Sequence, residues 1–173
     1  DEGEVRDLLN CEIEKDGDDI VLRQTAYIDG LVANFCPEGV PASFQKADVP
    51  CTDALVQHVA DALCQSADDI DRGLLKQYQS LVGSLLYAAC VTRPDIAFAV
   101  GYLGRAPSCP TPELYDAALR VLRYLRVHRD IGLRYSAHHS QPLSGMSDAS
   151  WAVRHSTSGS VFLFGEAAIT WSS

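Results

Sequence analysis

Hydrophobic and polar positions change period twice along this chain. Cys11-Glu12-Ile13-Glu14 and Ile20-Val21-Leu22-Arg23 alternate around Lys15-Asp16-Gly17-Asp18-Asp19, the pattern of a hairpin with an Asp/Gly turn. A helical period follows over 24–36, with Tyr27, Leu31 and Phe35 at i, i+4 and i+8 on one side, closed by Pro37 and Pro41. From 38 to about 71 the signals mix. A Pro-bounded extended stretch leads to a weak helical pattern near 54–64 and the acidic linker Asp68-Asp69-Ile70-Asp71, so this reads as the least ordered section.

Three helices are expected next. The first, over 74–90, has an apolar face through Leu81, Leu85 and Ala88/Ala89, with Gly83 and Ser84 allowing close helix approach. Pro94 opens the second, where its missing N–H costs nothing; it carries Ile96, Val100 and Leu103 and ends before Pro107. Thr111-Pro112-Glu113 is a cap-plus-proline start for the third, whose inward stripe is Leu114, Ala118, Val121 and Leu125. Arg120 and Arg123 lie opposite that stripe, with Arg126 on the flank. Beyond Asp130 the period becomes that of strands, over 132–135, 143–148, 160–164 and 167–171. Turns at 137–141, 151–159 and Gly165-Glu166 would join them as an antiparallel meander. Helices first and strands afterwards predicts an α+β fold, in two pieces.

A chain of 173 residues suffices for one ordinary domain or parts of two small ones. Its apolar stretches are broken by Gly, Arg or Asp too often to span a membrane. Asp1-Glu2-Gly3-Glu4 lacks the basic-then-apolar order of a signal peptide, and the missing initiator Met suggests a start inside a longer reading frame. The six cysteines show no C-x-x-C pair and no Cys/His cluster at metal spacing, which argues against structural zinc. Scattered reduced thiols in an intracellular protein are the expectation. The net charge of −9 is unevenly spread: residues 1–75 carry 17 acids against 5 bases, residues 76–173 carry 6 against 9. The second part tolerates a polyanion; the first does not.

Past Asp130 the only carboxylates are Asp148 and Glu166. Asp148, in Ser147-Asp148-Ala149-Ser150-Trp151 at a strand end, has the setting of a first metal ligand in a nuclease. On its own residues it reads first as a turn cap before Trp151. Asp148, His155 and Ser158 can be written as a Ser/His/Asp set, without any nucleophile-elbow pattern to support it. His138-His139 reads as an exposed turn, because adjacent side chains diverge on an extended backbone. No glycine loop of the phosphate-cradling kind is present. The basic face of Arg120 and Arg123 is either a solvated face or a contact for a nucleic-acid backbone.

Several segments in order change this balance. Tyr78-Gln79-Ser80-Leu81-Val82-Gly83-Ser84-Leu85-Leu86-Tyr87 leads into Thr92-Arg93-Pro94-Asp95-Ile96-Ala97-Phe98-Ala99-Val100. Val121-Leu122-Arg123-Tyr124-Leu125, Ser147-Asp148-Ala149 with Trp151, Ser156-Thr157-Ser158-Gly159 and Ala168-Ile169-Thr170-Trp171-Ser172-Ser173 follow. Together they closely resemble the Pol polyprotein of copia-type long-terminal-repeat retrotransposons, from the end of reverse transcriptase into ribonuclease H. The resemblance covers almost the whole chain, including 4–35. It implies the end of a reverse-transcriptase palm/thumb-like region over 1–72, a helical connection-like segment over 73–130, and the first strands of a truncated ribonuclease-H-like domain over 131–173. It implies Asp148 as the first metal-binding aspartate, Mg²⁺ as the cofactor, and hydrolysis of RNA in an RNA–DNA hybrid. Arg93, Arg120 and Arg123 become candidates for contact with the hybrid or template–primer duplex. The rest of the Pol polyprotein is the implied protein partner, in the cytoplasm, a virus-like particle or the nucleus, with no membrane.

The departures point the other way. The paired polymerase aspartates are expected upstream of residue 1, and the remaining ribonuclease H carboxylates beyond Ser173. Ser150 stands where the family usually has a second Asp, and the 151–156 turn is about four residues shorter than usual and has lost its acids. A catalytically incomplete stretch of the enzyme is the expectation, with a non-enzymatic nucleic-acid-binding or interaction remnant as the alternative.

Overall fold

The computed structural model describes residues 6–38, 47–66, 70–138, 143–150 and 157–173. Its architecture is α+β: five α-helices and two antiparallel sheets among the described residues. Pro41, Asp68-Asp69, His139, His155 and most of the 151–159 turn lie outside them.

The N-terminal hairpin forms as its alternation predicts. β2 (Cys11–Asp16) pairs with β3 (Asp19–Arg23) in the register Asp16↔Asp19. The two-residue turn needs a left-handed first position, and Gly17 supplies it at φ 63°. A short β1 (Asp7–Leu8), not evident in the sequence, adds an outer strand to β2. On the other side of β3 lies β4 (Leu133–Tyr135), in the register Leu22↔Leu133 and Ile20↔Tyr135. This corrects the expected meander: β4 leaves the C-terminal strands and completes the N-terminal sheet in the order β1-β2-β3-β4. Gly132 makes the approach possible, since a methyl group there would run into Leu22 O and Arg23 Cγ.

The helices build one apolar core. α1 (Thr25–Phe35) buries Ile28, Leu31 and Val32, while Tyr27 and Phe35 are only partly buried, so its inward stripe is rotated from the one expected. α2 (Ala54–Leu63) forms at the weak pattern and buries Leu55, Val59 and Ala62. α3 (Arg72–Val91) buries Tyr78, Leu81, Leu85, Ala88 and Ala89. Its start is set by Asp71, whose carboxylate accepts from Gly73 N at 2.7 Å and Leu74 N at 3.3 Å; the apparent linker ends in an N-cap. Gly83 does not mediate close approach, because a Cβ there would meet open space. Pro94 begins a 3₁₀ turn (Pro94–Ile96) that runs into α4 (Ala97–Leu103), with Ile96, Val100 and Leu103 buried. α5 (Pro112–Val127) starts as its signature predicts, with Thr111 Oγ1 accepting from Leu114 N at 3.2 Å. Its stripe of Leu114, Ala118, Val121 and Leu125 is fully buried.

The second sheet is β5 (Ser144–Ser150), β6 (Thr157–Phe164) and β7 (Ala167–Ser172), in that order. The expected Gly165-Glu166 turn joins β6 to β7, both residues at positive φ. A bulge lies between Phe162 and Leu163. This sheet is tied to the rest by side chains rather than by a shared ladder. Trp171 Nε1 donates to Ala89 O at the end of α3 at 2.8 Å, and Tyr135 OH to Ala168 O at 2.8 Å. A single backbone bond, Ser136 N to Gly165 O at 2.9 Å, links β4 to the β6–β7 turn. None of the six cysteines is paired, and no described helix is long and apolar enough to cross a membrane.

Candidate nuclease-like site and its surroundings

Asp148 lies on β5 opposite Gly159 of β6. Directly paired residues share a face and neighbours alternate, so Met146, Asp148, Val161 and Trp171 lie on one side of the sheet. That side looks across to α4. Between them is an open cavity of about 490 Å³, lined by Pro94, Asp95, Phe98, Met146, Asp148 and Trp171 among others. The carboxylate of Asp148 is exposed and accepts from Ala149 N at 2.8 Å, a local bond that leaves most of its lone-pair capacity open.

Its acidic company is sparse. Asp95 reaches the same cavity but is already engaged by Arg93 in a bidentate pair, Nε to Oδ1 at 2.9 Å and Nη2 to Oδ2 at 2.7 Å. Burial works to raise the Asp95 carboxyl, yet the hydrogen bonds and charge of Arg93 outweigh it and hold it below the usual carboxylate range. Glu166 sits in the β6–β7 turn, roughly 20 Å along the strand from the level of Asp148 at ordinary strand rise. Among the described residues no group of three or more His, Cys, Asp or Glu is placed to hold a metal. The donor set therefore does not fit a two-cation centre, since one free carboxylate does not offset the mutual repulsion and dehydration of two divalent ions.

Each other candidate has a definite place. Arg93 is fully buried: besides Asp95, its Nη1 donates to His128 O at 2.9 Å, and its guanidinium lies 5.7 Å from the Tyr124 ring centroid. It offers no surface to a phosphate and instead joins the α3–α4 junction to the end of α5. Arg120 and Arg123 are half-buried rather than on an open face. Both line a cavity of about 130 Å³ with Cys51, His58, Glu113 and Asp116, where Arg123 pairs with Asp116 at 3.2 Å. Arg126 and Arg129 approach Asp29 of α1 at 3.9 and 2.7 Å. On the basic side of α5, Arg123 is thus countered by Asp116 of the same helix, and Arg126, with Arg129 just beyond the helix, by Asp29 of α1.

Ser158 pairs with Ala149, one residue out of phase with Asp148, so the two side chains point to opposite faces and do not form a Ser/His/Asp set. His138 is exposed, 3.4 Å from Asp18. Two features have no place among the sequence-based expectations. Asp95 and Phe98 face Asp148 from some fifty residues away, a relation with no local signal. Arg105, just past α4, stacks over Tyr102 at 4.0 Å, and its Nη2 donates to Thr157 Oγ1 on β6 at 3.5 Å. The spacing Phe98, Tyr102, Arg105 at i, i+4, i+7 is the signal that announces that group.

Known proteins share this sequence over different spans. A secreted RxLR effector protein 161 of Plasmopara viticola is 42% identical over 100 residues, covering 56% of this chain and 70% of the relative. The retrovirus-related Pol polyprotein from transposon TNT 1-94 of Nicotiana tabacum is 32% identical over 181 residues, covering 99% of this chain and 13% of the relative. The retrovirus-related Pol polyprotein from transposon RE2 of Arabidopsis thaliana is 39% identical over 101 residues, covering 56% of this chain and 7% of the relative. The chain thus spans a small part of the Pol polyproteins it matches. No protein-family model and no solved structure matches it.

Proposed function

This chain belongs to the copia-type retrotransposon Pol family, and on that premise we propose that it carries the junction between reverse transcriptase and ribonuclease H. In this reading residues 1–72 end the palm/thumb-like region and 73–130 form a connection-like helical segment; of the 131–173 stretch, β4 closes the N-terminal sheet and the β5-β6-β7 sheet opens a ribonuclease-H-like domain. Its part in RNA-templated DNA synthesis and hybrid cleavage is to position the RNA–DNA duplex and to contribute one carboxylate. It does not cleave by itself. The rest of the polyprotein would supply the other carboxylates, which together with Asp148 would hold Mg²⁺ taken from solution.

The observation that carries this reading is the isolation of Asp148. It stands on a sheet face open to a cavity, as a first ligand would, while the other acidic side chain lining that cavity, Asp95, is neutralised by Arg93. A labelled RNA–DNA hybrid incubated with the chain and Mg²⁺ or Mn²⁺, beside Asp148→Asn, tests it. The expected result is no cleavage above background for either protein. Hydrolysis by the wild type that disappears in Asp148→Asn would show that the site is complete and overturn the reading.

A second reading has a specific observation in its favour. The relative of which this chain covers 70% is named as a secreted effector, not as a polymerase. A non-enzymatic nucleic-acid-binding or interaction role follows, in which the fold is kept and the chemistry is not. It predicts hybrid binding unchanged by Asp148→Asn. Absence of binding at low ionic strength removes it.

A further inference from the structure

We propose that Phe98, Tyr102 and Arg105 form a platform for single-stranded nucleic acid that leads a strand to Asp148. The proposal rests on the reading that this chain handles nucleic acid, and it names residues that the reading did not use. The three positions fall on one side of α4 and its C-terminal extension, three and four residues apart. Phe98 is 44% exposed, a large value for a phenylalanine at a helix–sheet junction. Its ring lies 4.9 Å from that of Tyr102 at 44°, and the Arg105 guanidinium lies over the Tyr102 ring at 4.0 Å. The result is a short aromatic stripe ending in a guanidinium.

Charge identifies the occupant. Arg93, Arg123, Arg129 and Arg134 are all held by carboxylates. Arg105 has no carboxylate partner among the described residues; its only polar partner there is the Thr157 hydroxyl. An exposed arginine without a carboxylate partner among the described residues, stacked on Tyr102 with Phe98 beyond, suits a ligand that is both anionic and π-faced. Unpaired bases supply such faces whatever their sequence, and the backbone supplies the phosphate. A paired duplex hides those faces, and an acidic peptide would meet Arg105 but leave Phe98 unused.

Position links the stripe to Asp148. Phe98 lines the same cavity as Asp148. Thr157 lies opposite Ser150, two residues from the Asp148↔Gly159 pair, so Arg105 is anchored about 7 Å along the sheet from that carboxylate. The charge of Asp95, which would repel a polyanion, is already countered by Arg93. A strand stacked on Phe98 and Tyr102, with a phosphate at Arg105, passes over the β5–β6 end where Asp148 stands.

The test is fluorescence anisotropy of the full chain with a labelled oligothymidylate and, separately, a labelled RNA–DNA hybrid. Phe98→Leu and Tyr102→Leu keep apolar bulk and are expected to weaken single-strand binding about tenfold each, the scale of one lost stacking contact. Arg105→Gln is expected to weaken it and to reduce the salt slope by about 0.7, one phosphate contact on a single strand. Arg105→Lys restores the slope but not the full affinity, because it keeps the charge and loses the stack. Should a variant fail to fold, ultraviolet crosslinking of the wild type to a bromouridine-bearing strand is expected to map to Phe98 or Tyr102. Wild-type affinity in all the folded variants, or crosslinks that avoid α4, overturns the platform and leaves the nucleic-acid reading standing. Hybrid binding without single-strand binding does the same. Binding of neither probe removes both.

Discussion

Arg93 shows how one side chain can invert its apparent role. On the sequence it is a basic residue before Pro94 that the family resemblance makes a candidate for contact with the duplex. In the fold it is completely buried, and its guanidinium satisfies the Asp95 carboxylate and the His128 carbonyl. Removing one partner of a buried pair leaves the other charge poorly compensated. Arg93→Met is therefore expected to cost about 3 kcal/mol, read from urea unfolding midpoints; a loss below about 1 kcal/mol, the scale of a surface pair, would mean that the clamp is incidental. Asp95 adds a pH dependence. Its folded-state value is depressed, so its contribution is complete above the unfolded value of about 3.9 and is lost as pH falls through the folded one. In Asp95→Asn the stability lost on acidifying below roughly pH 4 should be smaller than in the wild type. Parallel acid limbs in the two proteins would refute the assignment.

Among the elements, β4 is the informative one. It is three residues long and reads like the first strand of the C-terminal meander. It pairs instead with β3, more than a hundred residues earlier, so the chain after α5 returns to its own N-terminal hairpin. Arg134 reinforces the docking by reaching Asp16 at 2.6 Å and Asp19 at 3.1 Å across the sheet. Gly132 is the point of closest approach, and adding a Cβ brings it against Leu22 O. Gly132→Ala is expected to destabilise the chain by about 2 kcal/mol, because the β3–β4 pair must separate to make room. Hydrogen exchange should show the amides of 20–22 and 133–135 losing protection together. Unchanged protection there would mean that the backbone absorbs the methyl at no cost.

For the whole molecule, the decisive property is how its two charge halves are arranged. The acid-rich first half supplies Asp29 to Arg126 of α5 and to Arg129 just beyond it, and Asp16 and Asp19 to Arg134. Much of the positive charge that favours a polyanion is thereby neutralised internally. Nucleic-acid binding is accordingly expected to be modest and steeply salt-dependent, and to centre on Arg105 rather than on α5. The same arrangement bears on catalysis: the sheet brings Asp148 to an open cavity with no free acidic companion among the described residues. Salt titration of hybrid and single-strand binding, read beside the cleavage assay, separates a positioning surface from an active centre.

Local rules were enough for much of this. The Thr111 cap, the Gly17 turn, the buried stripe of α5 and the period of the hairpin are readable because their partners lie within a few residues. The family, too, was legible from the order of its segments, which the Pol relatives bear out. Contacts between distant residues were not. The pairing of β4 with β3, the burial of Arg93, the pairing of Arg129 with Asp29 and the meeting of Phe98 with Asp148 each join elements far apart in the chain. No local period encodes such a meeting, because packing decides it by burying apolar faces and pairing the charges they carry inward. Sequence by itself determined most of the elements and the ancestry; tertiary structure decided which charges remain available for function.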